Sequence, residues 1–273
     1  MFGLDQHRQT LVLNIYLYQK PGICSGGRNS NATPAQSPNV VRNFKQRLLT
    51  MTVEEIKQKL LSKKSADRLG ATKRISKENV LELAHELFVA YTKEKQDKRT
   101  WESQSEMVKV LGLLDYKPAL DDIEKIVKDN IPHDMITMNA ATSFVQLKRK
   151  NILDAAPVLE LLNFGSTSVI AGALKALAVD KMLPKKNETE EILKISRDIN
   201  KHKDRIGHEF GLIDPRIYLA TACAGWDLVL TTSFLNHCIE TAFNISRFNK
   251  PEENVYLIEV CKKSLKGKYS SLY

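Results

Sequence analysis

The 273-residue sequence has few chain breakers: 12 Gly and 9 Pro, several of them within the first 40 residues. A remainder so poor in Gly and Pro excludes a many-turned β architecture and favours long helices. No run of about 18 apolar residues exists, so a transmembrane helix is not expected. The longest apolar stretch near the N-terminus, Leu11-Val12-Leu13-Asn14-Ile15-Tyr16-Leu17, is interrupted by Asn14. No small-residue cleavage site follows it, which argues against a secretory signal. The four cysteines, Cys24, Cys223, Cys238 and Cys261, form no C-x-x-C pair and have no zinc-finger spacing. Cys223 and Cys238 fall in apolar helical patterns, as small buried thiols do, and fit a reducing, cytoplasmic compartment.

Catalytic signatures are missing too. His208-Glu209 and His85-Glu86 lack the second histidine of a metalloprotease helix, and His202 and His208 do not share a helix face. There is no phosphate-binding loop, nucleophile elbow or dinucleotide fingerprint. Gly22, Gly26 and Gly27 lack the strand-to-helix context that a phosphate loop needs. The sequence therefore implies no metal, cofactor or small-molecule substrate.

A formal net charge of +9 suggests nucleic acid until it is divided along the chain. Residues 1–50 hold six basic side chains and one acidic one, whereas the remaining residues hold 35 basic and 31 acidic. The body is only mildly basic, with both signs mixed, which weakens a phosphate-binding argument.

What is present is organisation. Residues 20–40 are rich in Gly, Ser, Asn and Pro, and residues 1–50 read as a flexible N-terminal extension. A structured domain is expected over 51–273. Thr52-Val53-Glu54-Glu55 has the form of a capping box, and Met51 just before it marks a candidate natural start. Beyond it, helical segments of 10–18 residues recur between short polar or Pro-containing breaks.

Aligning the most similar segments places Ala71, Met107, Ala140, Ala173 and Ala222 at one register, separated by 36, 33, 33 and 49 residues. A period in the thirties filled by two helices is the pattern of an α-solenoid. The longer last spacing predicts an insertion or extra helix between Lys185 and Leu212. Leu228–Phe243 and Glu252–Leu265 read as closing helices, with Asn249-Lys250-Pro251-Glu252 as the break between them.

Val110-Leu111-Gly112-Leu113-Leu114-Asp115 followed by Pro118-Ala119-Leu120 resembles a HEAT inner helix, its turn and the next outer helix. Gly172-Ala173-Leu174-Lys175-Ala176-Leu177-Ala178 and Asp214-Pro215-Arg216-Ile217-Tyr218-Leu219-Ala220 resemble inner helices of the same family. Armadillo-like packing is a close alternative. The resemblance covers roughly residues 52–245 and implies an all-α fold, a right-handed α-solenoid of about five helical pairs.

Two residues beyond each small anchor the sequence reads Lys73, Lys109, Thr142 and Lys175, with Arg74 and Arg216 adjacent to the same series. In a regular stack these side chains form a solvated polar strip on the concave face, suited to an acidic peptide or a phosphate backbone. The leading expectation is a non-enzymatic scaffold or adaptor that binds a protein partner there, with no membrane role. The alternative is nucleic-acid binding. Alkylpurine DNA glycosylases use a similar solenoid with aromatic residues and an Asp, for which Trp101, Tyr218, Trp226 and Asp227 are the candidates. Against that, Asp227 is placed to cap a helix beginning at Leu228.

Overall fold

The computed structural model describes residues 52–197, 214–245 and 251–272. The chain divides into two units, Met1–Thr50 and Met51–Tyr273, of which only the second is described below. The expected flexible segment 1–50, Met51, Cys24, His202, His208 and most of the expected insertion lie outside the described residues.

Twelve α-helices are present among the described residues. In chain order they are α1 (Val53–Leu60), α2 (Ser65–Glu78), α3 (Ala84–Glu94), α4 (Trp101–Leu113), α5 (Leu120–Asp129) and α6 (Met135–Lys148). They continue as α7 (Ala156–Phe164), α8 (Thr167–Val179), α9 (Lys186–Arg197), α10 (Arg216–Ala222), α11 (Leu228–Glu240) and α12 (Val255–Ser264). Helix α9 opens the interval in which the sequence predicts an extra element. The two closing helices are shorter than expected. Between them β1 (Phe243–Ile245) pairs antiparallel with β2 (Pro251–Glu253), Asn244 facing Glu252. None of the described helices is long and apolar enough to cross a membrane.

The helices start where local chemistry tells them to. Thr52 Oγ1 accepts the Glu55 amide at 3.2 Å, and Glu55 Oε2 accepts the Thr52 amide at 2.7 Å, completing the capping box. Asp134, Asp227 and Asn254 cap α6, α11 and α12 in the same spirit, each accepting a first-turn amide.

The even-numbered helices form one row, in which α2, α4, α6, α8, α10 and α12 each pack against the next. Five of the odd-numbered helices lie against that row, α1 on α2, α3 on α4, α5 on α6, α7 on α8 and α11 on α12, while α9 packs on α7 and α11. The sequence explains the division. In α5, LDDIEKIVKD, only Ile123 and Val127 are buried, one narrow stripe of an otherwise charged helix. In α6 every residue from Thr137 to Leu147 is buried, and in α8 every residue from Thr167 to Ala178. A helix with a single lysine, as in both α6 and α8, has no charged face to turn to solvent and belongs inside.

All five anchor residues are buried: Ala71, Met107, Ala140, Ala173 and Ala222. Glycine sets the approach of the even helices. A Cβ on Gly172 would lie 2.1 Å from the Met138 carbonyl oxygen, and one on Gly112 would lie 2.4 Å from Ser143 Oγ. The small residues near these contacts, Ala141 and Ser143, keep α4, α6 and α8 in close contact.

The ends of the even helices repeat as well. Asn79, Asp115 and Lys181 have φ of 53°, 51° and 47°, and each lies eight residues beyond its anchor. Just past each one, an amide returns to a carbonyl five residues back: Val80 to Ile75, Tyr116 to Leu111 and Met182 to Leu177. This left-handed cap satisfies carbonyls that the helix end leaves open. Helix α6 breaks the pattern. The equivalent residue, Lys148, stays helical, and Arg149 leaves in an extended conformation (φ −64°, ψ 145°).

Candidate functional site

Polar side chains cross the even row at intervals close to the repeat. Ser143 donates to the Val108 carbonyl at 2.9 Å, and Thr142 donates to the Gly172 carbonyl at 3.0 Å. One series links three helices. Asn139 Nδ2 on α6 donates to Ser105 Oγ on α4 at 2.8 Å, and Lys175 Nζ on α8 donates to Asn139 Oδ1 at 3.1 Å. Each partner is 30–36 residues away in sequence, one layer of the row. Buried polar atoms are tolerated because they are paired across that layer.

Lys175 is only 5% exposed. Burial pushes its ammonium down to a pKa of about 8; nearby Lys109 adds to the shift and Glu106 opposes it.

The solvated strip expected from the sequence is not formed as a continuous feature. Lys73 is exposed and pairs with Glu102 at 3.2 Å, and half-exposed Lys109 pairs with Glu106 at 2.8 Å. Arg74 is turned to Glu78 on its own helix at 2.5 Å. Thr142, Lys175 and Arg216 are instead buried. Thr142 faces the next helix, where its hydroxyl bridges the Met138 and Gly172 carbonyls. Arg216 forms a two-pronged ion pair with Asp214 and donates to Thr241 Oγ1 at 2.9 Å. In fully buried helices the register two residues past the anchor points at a neighbour, not at water.

The aromatic and aspartate group of the glycosylase-like alternative is not assembled. Trp101 begins α4 whereas Tyr218 lies on α10, with α6 and α8 between them in the packing order. Trp226 is buried, and its indole donates to the Met182 carbonyl at 2.8 Å. Asp227 caps α11 through the Val229 amide at 2.8 Å.

A cleft of about 690 Å³, absent from the sequence reading, opens where α6 departs from the repeated cap. It lies at the C-terminal ends of α4, α6 and α8. Exposed Leu113 and Ile152 form its apolar walls, and Lys117, Lys148, Arg149 and Lys150 its cationic rim. Lys117 Nζ donates to the Leu147 carbonyl, one of those left open at the end of α6. Arg149 Nη1 lies 2.8 Å from Asp180 Oδ2 at the floor, and Gln146 donates to the other oxygen at 3.0 Å.

Burial raises the Asp180 carboxyl above its ordinary range, opposed by Arg149 and Gln146. Lys148 is held by both oxygens of Glu160, and Lys117 lies 2.8 Å from Asp115. Lys150 is exposed and has no acidic partner among the described residues. Its loop is nonetheless ordered by Asp154, which accepts the Lys150 and Ala156 amides, and by a 2.9 Å bond from the Leu183 amide to the Ile152 carbonyl. The available signal was the eighth position past each anchor, where Asn, Asp and Lys in the left-handed region give way to a Lys-Arg-Lys run.

No protein-family model, curated protein or solved structure matches this chain. Over its described residues the fold is that of a helical protein whose even-numbered helices pack in one row.

Proposed function

We propose that the chain is a HEAT-like, right-handed α-solenoid of about five helical pairs that serves as a non-enzymatic scaffold or adaptor for a protein partner. The observation that carries this reading is the repetition of one packing unit: a buried anchor and an even-on-even contact, with a left-handed cap eight residues past three of the five anchors. Neither helix of such a pair buries its apolar face alone, so stacking supplies the core and leaves a long surface for recognition. The partner would meet the even-numbered row at α2 and α4, where it reaches solvent, since α6 and α8 are buried along nearly their whole length. There Lys73 and Lys109 alternate with Glu102 and Glu106, a surface of both signs suited to protein.

The test uses full-length chain immobilised in native lysate with half the sample treated with nuclease. A nuclease-resistant protein partner, lost when Lys73 and Lys109 are both replaced by Glu, is expected. Loss of every partner on nuclease treatment would overturn the reading. So would duplex or single-stranded DNA binding, by fluorescence anisotropy, that weakens steeply with salt.

A further inference from the structure

The cleft at the ends of α4, α6 and α8 has a composition that selects its ligand. Its rim carries four cations against two carboxylates, Asp115 and Asp180. Three of the cations are already engaged: Lys117 with Asp115 and the end of α6, Lys148 with Glu160, and Arg149 with Asp180. Lys150 is the cation left to solvent, set on a loop that Asp154 holds in place.

On either side stand Leu113 and Ile152, aliphatic side chains nearly half exposed. In α2, α4 and α8 the helix end closes on itself through a left-handed backbone turn. At α6 Arg149 instead leaves in an extended conformation, and a lysine side chain from the preceding layer holds the Leu147 carbonyl beside the cleft.

We propose that this cleft is the docking site for an acidic peptide segment carrying an aliphatic side chain, a site that rests on the protein-binding reading above. A carboxylate of the segment pairs with Lys150 and the outer faces of Lys148 and Arg149. The aliphatic side chain enters between Leu113 and Ile152, where its burial supplies the non-electrostatic part of the affinity. Polyphosphate fits less well. The apolar walls of Leu113 and Ile152 offer a phosphodiester backbone nothing.

The experiment measures anisotropy of a fluorescein-labelled peptide alternating Glu and Leu on the full chain. Three comparison probes are a Lys/Leu peptide, a Glu/Ser peptide and a labelled single-stranded oligonucleotide. The Glu/Leu peptide is expected to bind at least about tenfold tighter than either peptide control. Lys150→Glu should weaken it about tenfold, which corresponds to 1.4 kcal/mol. Ile152→Asn should weaken it without changing its salt dependence.

Both positions face solvent, and an unchanged melting temperature certifies that the variants fold. Lys266→Glu, an exposed lysine on the C-terminal segment, should leave binding intact. Equal binding of the Lys/Leu or Glu/Ser peptide, or insensitivity to both cleft substitutions, would overturn the site. Tighter binding of the oligonucleotide, abolished by Lys150→Glu, would overturn the peptide ligand and with it the protein-binding reading. Failure at the cleft while a partner still depends on Lys73 and Lys109 would leave the scaffold reading standing and remove only the site.

Discussion

Lys175 Nζ on α8 donates to Asn139 Oδ1 on α6 across 3.1 Å, inside a layer where every neighbouring residue of both helices is buried. Asn139 passes the connection on to Ser105 through its amide nitrogen, so one chain of donors and acceptors pins three successive even helices. It fixes their relative slide as well as their spacing, because an amide one turn out of place would leave a buried ammonium without its acceptor.

That ammonium predicts an alkaline gain in stability. With a folded pKa of about 8 against 10.5 in the unfolded chain, the unfolded state binds more protons between those values. Stability therefore rises as pH climbs from about 8 to 10.5, by an upper figure of about 3 kcal/mol at 1.36 kcal/mol per unit. Lys175→Met removes this term. Urea titrations at pH 7 and pH 10 should show the variant's stability relative to the native chain falling at the higher pH. A gap independent of pH would show that the amine is not perturbed as the geometry requires.

Glu94 predicts the opposite limb. It is buried at the end of α3, where Ser65 and Arg68 both donate to its carboxylate. Desolvation is the largest single influence and pushes its pKa up, but the hydrogen bonds and charge of Arg68 with those of Ser65 and Thr100 outweigh it, leaving the pKa below 4.5. A depressed carboxyl contributes stability above its unfolded pKa and loses it as pH falls through the folded one. Glu94→Gln should cost about 3 kcal/mol by stranding the Arg68 guanidinium. It should also flatten the acid side of the stability curve as pH falls below 4.5, read by thermal melts at successively lower pH.

Two glycine substitutions should move stability in opposite directions. Gly172→Ala drives a methyl into the Met138 carbonyl and Ala141, and should lose about 1–3 kcal/mol. Gly70→Ala, in the middle of α2 with open space around it, should gain about 0.5–1 kcal/mol from helix propensity. Denaturant midpoints of the two variants settle both. A tolerated Gly172→Ala would mean that the even helices do not approach as closely as described.

Cys223, Cys238 and Cys261 should resist alkylation in the native chain. All three are buried, and burial drives the Cys223 thiol far from ionisation, with the nearby Cys238 adding to it. Cys238 is likewise pushed up, first by its contact with Cys261 and then by burial. Since the thiolate is the reacting species, iodoacetamide mapped by peptide mass spectrometry should label these positions only after denaturation. Labelling at native rates would contradict the packing of α11 against α12.

How far the fold could be read in advance differs by feature. The capping box at Thr52 and the Asp227 cap follow from hydrogen-bonding chemistry that is local in sequence, and both are found as written. The anchors from Ala71 to Ala222 were legible because small residues recur at the spacing of a layer. Side-chain direction was not. Lys175 and Thr142 look like surface residues until both neighbouring helices are in place, and only then does their register face a carbonyl or an amide. The cleft was hidden for a related reason: it arises from one altered helix end, and only comparison across layers shows that Lys148 occupies a position held elsewhere by Asn79, Asp115 and Lys181.

The bonds that cross between α4, α6 and α8 join residues 30–36 apart, and the even helices touch their nearest neighbours in the row. A molecule tied together over such short sequence distances does not need its ends to find each other before it can fold. Order can spread outward from the densely buried α6–α8 pair, and it should recede the same way. Amide exchange would then be slowest at Ala140 and Ala173, quicken through α4 and α10, and be fastest in α1 and α12, a gradient of local opening that follows position in the stack.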